Sequence, residues 1–194
     1  MTEITPQLLL YGYAQGVFPM DDAGRIYWYD PDPRAIIPLD DAFHVPHSLA
    51  RTIRKGAFEV RVDTAFRATM TACGVTSETR AETWISPQLI DLYTQLHHAG
   101  YAHSVETWRD GVMVGGLYGV ALGGLFAGES MWSRERDASK VALVALVERL
   151  RAAGFALLDT QFMTPHLARF GAHEIPRAEY RRRLATALTV EARF

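Results

Sequence analysis

Asp159 and Gln161 are two polar side chains whose type and spacing suggest shared chemistry. They follow an apolar run, residues 155–158, and Pro165 comes shortly afterwards, which predicts a buried strand ending at the edge of a sheet. Side chains alternate along a strand, so Asp159 and Gln161 are expected on one face and could act on one ligand. A carboxylate accepts hydrogen bonds, whereas an amide both donates and accepts them. The plainer interpretation is that Asp159 only ends the strand or caps the next turn.

A second acid, Glu129, lies near the end of a predicted strand, residues 125–133. Its neighbours include Phe126, Gly128 and Met131. Acids are rarely placed among apolar residues without a partner, so Glu129 is a further candidate for ligand binding. An exposed position on an edge strand explains it equally well.

A basic patch is predicted on a short helix near the N-terminus. Arg54 and Lys55 lie three and four residues beyond Arg51, so all three share one helix face. The chain has only two lysines among its 20 basic residues, and the planar guanidinium of arginine suits phosphate. The patch is therefore either a phosphate contact or a solvated helix face, and the arginine bias also fits a GC-rich genome.

Composition limits the class of protein. The chain has 194 residues, 48% of them hydrophobic, which suits one domain with a small extension or two small domains. A formal charge of -2 and a pI near 6.4 require any nucleic acid to be held by a local patch. Cys73 is the single cysteine, which excludes an internal disulfide. No signal peptide and no apolar run of about 18 to 20 residues is visible, so we expect a soluble cytoplasmic protein.

Turn residues and hydrophobic periodicity predict the elements that position these side chains. The first part of the chain should contain a short helix, an extended aromatic loop that carries Trp28, an edge strand at residues 36–39 and the helix of the basic patch. From residue 58 the pattern becomes α/β. Ser86 and Pro87 open a helix, Asp110 and Gly111 form a hairpin turn, and Asp137 is expected to cap a long helix before the strand that holds Asp159.

This order predicts an α/β (α+β) fold, an acetyltransferase-like (GNAT-like) mixed sheet domain at residues 58–194 preceded by a small N-terminal domain at residues 1–57. Acetyltransferases of that kind hold the cofactor pyrophosphate on a glycine-bearing turn before the long helix. The corresponding residues here, 134–140, contain no glycine and two acids. An acetyl-CoA enzyme is therefore disfavoured, since two acids lie where the cofactor phosphates would be.

An ordered set of motifs spans the chain from about Leu8 to Leu184 and resembles the leucyl/phenylalanyl-tRNA-protein transferase family. The motifs lie at residues 28–34, 83–85, 103–106, 115–120, 126–131, 138–140 and 158–161. Any one of them alone is a weak signal, but the ordered set is specific.

The resemblance implies an enzyme that transfers leucine or phenylalanine, and less well methionine, from aminoacyl-tRNA to the N-terminal arginine or lysine of a protein. The product is an N-degron that marks the acceptor protein for degradation. The implied partners are Leu-tRNA, Phe-tRNA and acceptor proteins with N-terminal Arg or Lys, with no CoA, metal, membrane or DNA. The preference between leucine and phenylalanine stays open.

The resemblance also implies roles for individual residues. Asp159 and Gln161 correspond to the proposed catalytic pair, and Trp28 and Trp84 to positions that hold the terminal adenosine and the entrance. The apolar pocket for the aminoacyl side chain is implied at six positions, with Glu129 beside it: Leu117, Phe126, Met131, Leu143, Leu150 and Leu158.

A mechanism can be argued from the chemistry of these groups. The α-amino group has a pKa of about 7.7 to 8.0, so a useful fraction is already a neutral nucleophile at pH 7 and a strong base is not required. We hypothesise that Gln161 orients the incoming amine through its carbonyl oxygen while Asp159 fixes the orientation of the amide. Glu129 would recognise the cationic first residue of the acceptor, and Arg51, Arg54 and Lys55 would contact tRNA phosphates.

Three other functions remain open. A non-catalytic RNA-binding or peptide-binding module on the same fold would need the basic patch and the apolar pocket but neither Asp159 nor Gln161. An N-acetyltransferase is weakened by the missing glycine turn. A relative that uses arginyl-tRNA would need an acidic aminoacyl pocket, which the apolar lining argues against.

Overall fold

A computed structural model describes residues 4–75 and 83–194 of the chain. The helices in these ranges are α1 (Pro6–Ala14), α2 (His47–Arg54), α3 (Phe66–Cys73), α4 (Pro87–His98), α5 (Ala138–Ala152), α6 (Pro165–Ala168) and α7 (Arg177–Ala187). The strands are β1 (Phe18–Asp22), β2 (Arg25–Tyr29), β3 (Arg34–Ile37), β4 (Glu59–Val62), β5 (Ala102–Arg109), β6 (Val112–Leu122), β7 (Leu125–Ser133), β8 (Leu157–Gln161) and β9 (His173–Ile175). None of the helices in the described ranges has the length and apolar character needed to cross a bilayer.

Seven strands form one mixed sheet in the order β4-β5-β6-β7-β8-β3-β9. All neighbours are antiparallel except β7 and β8, which are parallel and joined by the crossover helix α5. Strands β1 and β2 form a separate hairpin, which the sequence pattern did not predict. The predicted mixed α/β sheet is confirmed.

Strand β3 differs from its predicted place at the edge of the sheet. All four of its residues are buried, and it pairs with β8 on one side and β9 on the other. Pro38, which suggested an edge, follows the strand and so removes no hydrogen bond from it. The prediction of an edge strand was wrong, and β3 brings Arg34 next to β8. The division into 1–57 and 58–194 stays a prediction, and this pairing joins the two parts in one sheet.

Apolar helices cover both faces of the sheet. Helix α5 buries Val144 and Val147 in one core, and α3 and α4 contribute Met70 and Leu89 to the core on the opposite face. Burial of such side chains stabilises a fold by about 1.5 to 3 kcal/mol each. The two faces thus hold the sheet, and the polar side chains at the end of β8, in a fixed position.

Helix α4 begins where the cap predicts it, because the hydroxyl of Ser86 accepts a hydrogen bond from the backbone of Leu89. Helix α5 also begins directly after Asp137, as predicted, but Asp137 does not cap it. The carboxylate of Asp137 makes no capping bond to the helix backbone and instead accepts a hydrogen bond from the ammonium of Lys140, at 2.6 Å.

Candidate active site

A cavity of about 440 Å³ opens between the carboxyl end of β8, the middle of β6 and β7, and helices α5 and α6. Its walls are mostly apolar, with polar groups gathered at the β7 and β8 side. The lining residues from β6, β7 and β8 include Leu117, Glu129, Met131, Leu158, Thr160 and Gln161. Leu143 and Leu146 enter from α5, His166 and Leu167 from α6, and Met20 and Trp84 from the other side.

Seven of the predicted site residues line this cavity: Trp84, Leu117, Glu129, Met131, Leu143, Leu158 and Gln161. Phe126 and Leu150 do not line it, since both are fully buried in the core beneath α5. Trp28 lies on β2 against α1, where a Cβ at Gly12 would collide with the indole ring. The structure therefore separates the predicted pocket set into residues that contact the cavity and residues that support it.

Two β-bulges shape the polar end of the cavity. In β7, Tyr118 pairs with Ser130 and Gly119 with Gly128, so Glu129 is the extra residue. A bulge bends its strand and redirects side chains, which is why bulges are common next to binding sites. Here the bulge residue Glu129 lines the cavity.

The bulge in β8 changes the face on which the predicted pair lies. Ala35 pairs with Gln161 and Ile36 with Asp159, so Thr160 is the extra residue. Gln161 has a φ of 67°, a left-handed conformation that is uncommon for a residue other than glycine and is concentrated at functional sites. As a result Thr160 and Gln161 line the cavity, whereas Asp159 does not. The argument from regular alternation was wrong at this point.

The side chain of Gln161 is held by Glu129. Its amide nitrogen donates a hydrogen bond of 2.8 Å to Glu129 Oε1, and the hydroxyl of Tyr93 donates one of 3.4 Å to Glu129 Oε2. Tyr93 in turn shares a hydrogen bond with the hydroxyl of Tyr13. One N–H of the Gln161 amide is thus bonded to Glu129, which fixes the orientation of the amide and leaves its carbonyl oxygen as the acceptor for a ligand.

Burial raises the pKa of the Glu129 carboxyl group to about 8, and the negative charge of Asp159 adds to this shift. The hydrogen bond with Tyr13 and the charge of Arg34 oppose it. Burial and the neighbouring Glu129 also raise the pKa of the Tyr13 and Tyr93 hydroxyls, so both phenols stay protonated. Glu129 therefore exchanges its proton close to neutral pH.

Asp159 is buried behind the cavity and accepts four hydrogen bonds from three residues. Arg34 donates to both carboxylate oxygens, at 2.9 and 2.6 Å, and the Tyr180 hydroxyl donates at 2.9 Å. The backbone N–H of Gln161 donates to Oδ1 at 2.8 Å. Asp159 therefore holds the backbone of Gln161, while the amide orientation, which we had assigned to Asp159, is fixed by Glu129.

The predicted basic patch lies on α2 and is exposed. Arg51 lines a cleft of about 420 Å³ together with Arg109 and Arg136, whereas Arg54 and Lys55 lie outside that lining. None of the three predicted residues lines the apolar cavity. The structure thus places the basic patch and the cavity at separate positions.

Sequence reasoning did not identify several residues that complete the site. Arg34 ends the motif at residues 28–34 and is followed by three apolar residues, and an arginine at the start of such a run would have suggested a buried partner. Tyr93 lies on α4, where hydrophobic periodicity predicts a buried position but no hydrogen bond to Glu129. His166 lines the cavity, and its buried Nε2 has no hydrogen-bond partner in the described part of the chain. No local signal distinguishes such a histidine from a surface one.

Comparison with protein families gives two matches that together span most of the chain. The model described as leucyl/phenylalanyl-tRNA protein transferase matches residues 36–185. The model of the N-terminal domain of the same family matches residues 2–32.

Two curated relatives match over nearly the whole chain, and both are named leucyl/phenylalanyl-tRNA–protein transferase. The relative from Herpetosiphon aurantiacus is 72% identical over 98% of each chain. The relative from Paramagnetospirillum magneticum is 58% identical, and the match covers 100% of this chain and 94% of the relative.

Among solved structures, an N-acetyltransferase from Thermoplasma acidophilum in complex with coenzyme A is similar over 50% of this chain and 75% of its own. The identity is 10% and the TM-score is 0.37. A likeness at that score supports no conclusion about function.

Proposed function

Because the chain belongs to the leucyl/phenylalanyl-tRNA protein transferase family, we propose that it transfers leucine or phenylalanine from aminoacyl-tRNA to the N-terminus of an acceptor protein. The observation that carries this proposal is the apolar cavity that ends at Gln161 and Glu129. An apolar side chain can enter the cavity while the reacting ester lies beside the polar groups at its end.

The walls of the cavity fit the side chain of the transferred residue. Leu117, Met131, Leu143 and Leu158 present only apolar atoms to it. Such a pocket rejects charged side chains strongly but distinguishes single methylene groups by only about 1 to 3 kcal/mol. Methionine should therefore also be transferred, though less well.

The reaction joins the α-amine of the acceptor to the ester carbonyl of aminoacyl-tRNA. The new C–N bond forms as the C–O bond to the tRNA ribose breaks, and the proton lost by the amine balances the one gained by the departing hydroxyl. We assign the carbonyl oxygen of Gln161 to accept a hydrogen bond from the amine, with Glu129 holding the amide. Positioning of this kind can lower a barrier by up to about 7 to 11 kcal/mol.

Recognition of an acceptor that begins with arginine or lysine requires an acid near the reacting amine. Glu129 is the acidic residue among those that line the cavity in the described ranges. We therefore propose Glu129 for this role as well as for holding Gln161. Because its pKa is raised to about 8, the anionic form that binds a cationic side chain becomes more abundant as pH rises.

The tRNA is proposed to contact the protein on two surfaces. Trp84, at the cavity, and Trp28, on the β1–β2 hairpin, are candidates for the terminal adenosine and the entrance. Arg51, Arg54 and Lys55 are candidates for phosphate contact because all three side chains are exposed. The cleft that Arg51 lines contains two further arginines and two acids. The products would be N-degron substrates, and the reaction would take place in the cytoplasm, where aminoacyl-tRNA is found.

The decisive experiment is transfer of labelled leucine from charged tRNA to a protein that begins with arginine. A matched protein that begins with glutamate is the control. Label on the arginine start alone is the expected result. Absence of label on both proteins, with tRNA still bound, would reject transfer in favour of a non-catalytic RNA-binding module.

A further inference from the structure

We infer that Arg34 is a positioning residue that fixes Gln161 for the transfer reaction by acting through Asp159, with Tyr180 as its support. This inference rests on the proposed function, because Gln161 is assigned there as the group that orients the amine. Arg34 does not line the cavity, so its effect on the reaction must pass through other residues.

The guanidinium of Arg34 is enclosed, and each of its three nitrogens donates at least one hydrogen bond. Its side chain is 1% exposed, and it donates two parallel hydrogen bonds to the two oxygens of Asp159. Two parallel bonds fix both distance and orientation, which a single ammonium contact cannot do. A third bond of 3.1 Å reaches the carbonyl of Gly16, and the rings of Phe18 and Tyr180 cover the guanidinium at 4.7 and 4.4 Å.

Asp159 transmits this fixed geometry to the backbone of Gln161. Oxygen Oδ1 accepts from Arg34 Nε at 2.9 Å and from the backbone N–H of Gln161 at 2.8 Å. The second oxygen, Oδ2, accepts from Arg34 and from the Tyr180 hydroxyl. Rotation of the carboxylate would break all of these bonds together. Arg34 and Tyr180 therefore fix the carboxylate whose Oδ1 binds the backbone of Gln161.

Gln161 needs such support because its backbone is in an unfavourable conformation. Its φ of 67° follows directly after the bulge at Thr160, and a left-handed conformation for a residue with a side chain persists only where its surroundings fix it. Arg34 also precedes Ala35, which pairs with Gln161 across β3 and β8. The buried charges thus lie next to the one backbone turn that directs Gln161 to the cavity.

A buried ion pair is a poor means of adding stability, because desolvation cancels much of its attraction. Burial alone opposes the charged guanidinium, but the hydrogen bonds and charge of Asp159 outweigh it and raise the pKa of Arg34 above its ordinary value. The arrangement is therefore better suited to fixing one geometry than to stabilising the fold.

Two variants separate positioning from folding. Arg34→Lys keeps the charge but removes the second parallel bond. Tyr180→Phe keeps the ring but removes both hydrogen bonds of the hydroxyl, the one it donates to Asp159 and the longer one it accepts from Arg34. Matched controls are Arg61→Lys and Tyr11→Phe. Arg61 makes the same two-bond contact with Glu59 on the far side of the sheet, at 2.7 and 2.9 Å, and Tyr11 is exposed.

The first test is single-turnover transfer with saturating aminoacyl-tRNA, combined with Gln161→Ala in a double-mutant cycle. Displacement of a catalytic group by about 1 Å can cost about 100-fold, so we expect Arg34→Lys to slow transfer about 10- to 100-fold with the Kd of aminoacyl-tRNA changed less than about 2-fold. Tyr180→Phe should slow it about 2- to 10-fold, and the controls should not slow it. In the Gln161→Ala background, Arg34→Lys should slow transfer less than about 2-fold further.

Equal effects of Arg34→Lys with and without Gln161 would overturn the inference, because independent sites contribute additively. If Arg34→Lys does not fold, the same double-mutant cycle with Gln161→Ala is measured for Tyr180→Phe. A wild-type protein that transfers nothing would overturn the proposed function and this inference with it, whereas normal transfer with additive effects would overturn the inference alone.

The second test does not depend on transfer activity. The chain has five glutamines, at positions 7, 15, 88, 95 and 161, so glutamine-selective ¹⁵N labelling gives a simple amide spectrum. We expect the backbone amide signal of Gln161 to shift in Arg34→Lys and in Tyr180→Phe but not in Arg61→Lys. An unchanged Gln161 signal in both variants would overturn the inference.

Discussion

At the scale of single residues, the amide of Gln161 lies at the polar end of an apolar cavity, between Glu129, which lines the cavity, and Asp159, which is buried behind it. Asp159 binds the backbone of Gln161, and Glu129 binds its side chain. An amide cannot act as a base, so the chemistry expected of Gln161 is orientation of an amine that is already partly neutral near pH 7. The predictions at this scale test these separate roles of Asp159, Glu129 and Gln161.

Gln161→Ala and Asp159→Ala should slow transfer more than they weaken tRNA binding. Loss of the orienting carbonyl should lower the single-turnover rate about 100-fold, because the gain is one of positioning. Gln95→Ala, at an exposed glutamine on α4, is the control. Unchanged single-turnover rates in both variants would remove the pair from the mechanism.

Glu129 should make the stability of the protein depend on pH in a specific direction. Its pKa is raised to about 8 in the folded state, so between the ordinary glutamate pKa and pH 8 the folded state binds more protons than the unfolded state. Stability attributable to this group therefore falls as pH rises through that window. Between pH 6 and pH 9 we expect a loss of about 1 to 2 kcal/mol, after allowance for the partial exposure of the side chain.

Urea denaturation at these two pH values measures the effect. Glu129→Gln should lose less stability than the wild type over the interval, since its amide does not titrate. Glu148→Gln, at an exposed position on α5, should behave as the wild type does. A wild-type stability that rises over the interval would contradict the assigned direction.

At the scale of elements, helix α5 serves both the cavity and the core. Leu143 lines the cavity, while Leu150, two turns later, is fully buried beneath the helix and does not. The family resemblance implied that both leucines line the pocket for the aminoacyl side chain. A single apolar stripe on a helix therefore contains residues with different consequences for substrate choice, depending on what lies opposite them.

Leu143→Ala should enlarge the cavity and shift the preference toward phenylalanine over leucine. The shift should be about 5- to 20-fold in relative transfer, within the range that methylene-sized changes in an apolar pocket produce. Leu150→Ala should cost about 2 to 5 kcal/mol of stability, as for other buried leucines, with the preference unchanged. Competition between Leu-tRNA and Phe-tRNA measures the ratio, and an equal shift in both variants would place Leu150 at the cavity after all.

At the scale of the whole molecule, charge is local rather than global. The formal net charge is -2, so the protein has no overall field that would attract RNA. The exposed arginines of α2 lie beside a cleft that also contains Arg109 and Arg136. Arg109 is paired with Glu135, and the exposed Arg136 lies 3.8 Å from Asp137, so Arg51 is the better candidate for phosphate contact.

Arg51→Ala combined with Arg54→Ala should weaken tRNA binding and reduce its dependence on salt. Each phosphate contact removed should lower the slope of log K against log salt by about 1. Arg67→Ala, at an exposed arginine on α3, is the control. A salt slope equal to that of the wild type would count against the α2 patch.

The sequence by itself determined those features that depend on neighbouring residues. Ser86 with Pro87 marked the start of α4, and Asp110 with Gly111 marked the hairpin, where both residues adopt the positive φ that such a turn requires. The ordered motifs identified the family, because they are read along the chain without reference to packing.

Only the tertiary structure decided which residues meet. The bulges at Glu129 and Thr160 arise from pairing with strands that are distant in sequence, so periodicity alone could not place Asp159 behind the cavity and Gln161 within it. For the same reason Arg34 could not be assigned to Asp159, 125 residues away. Hydrophobicity identifies which side chains are buried, but whether a buried side chain meets a cavity or a neighbour depends on how the layers pack.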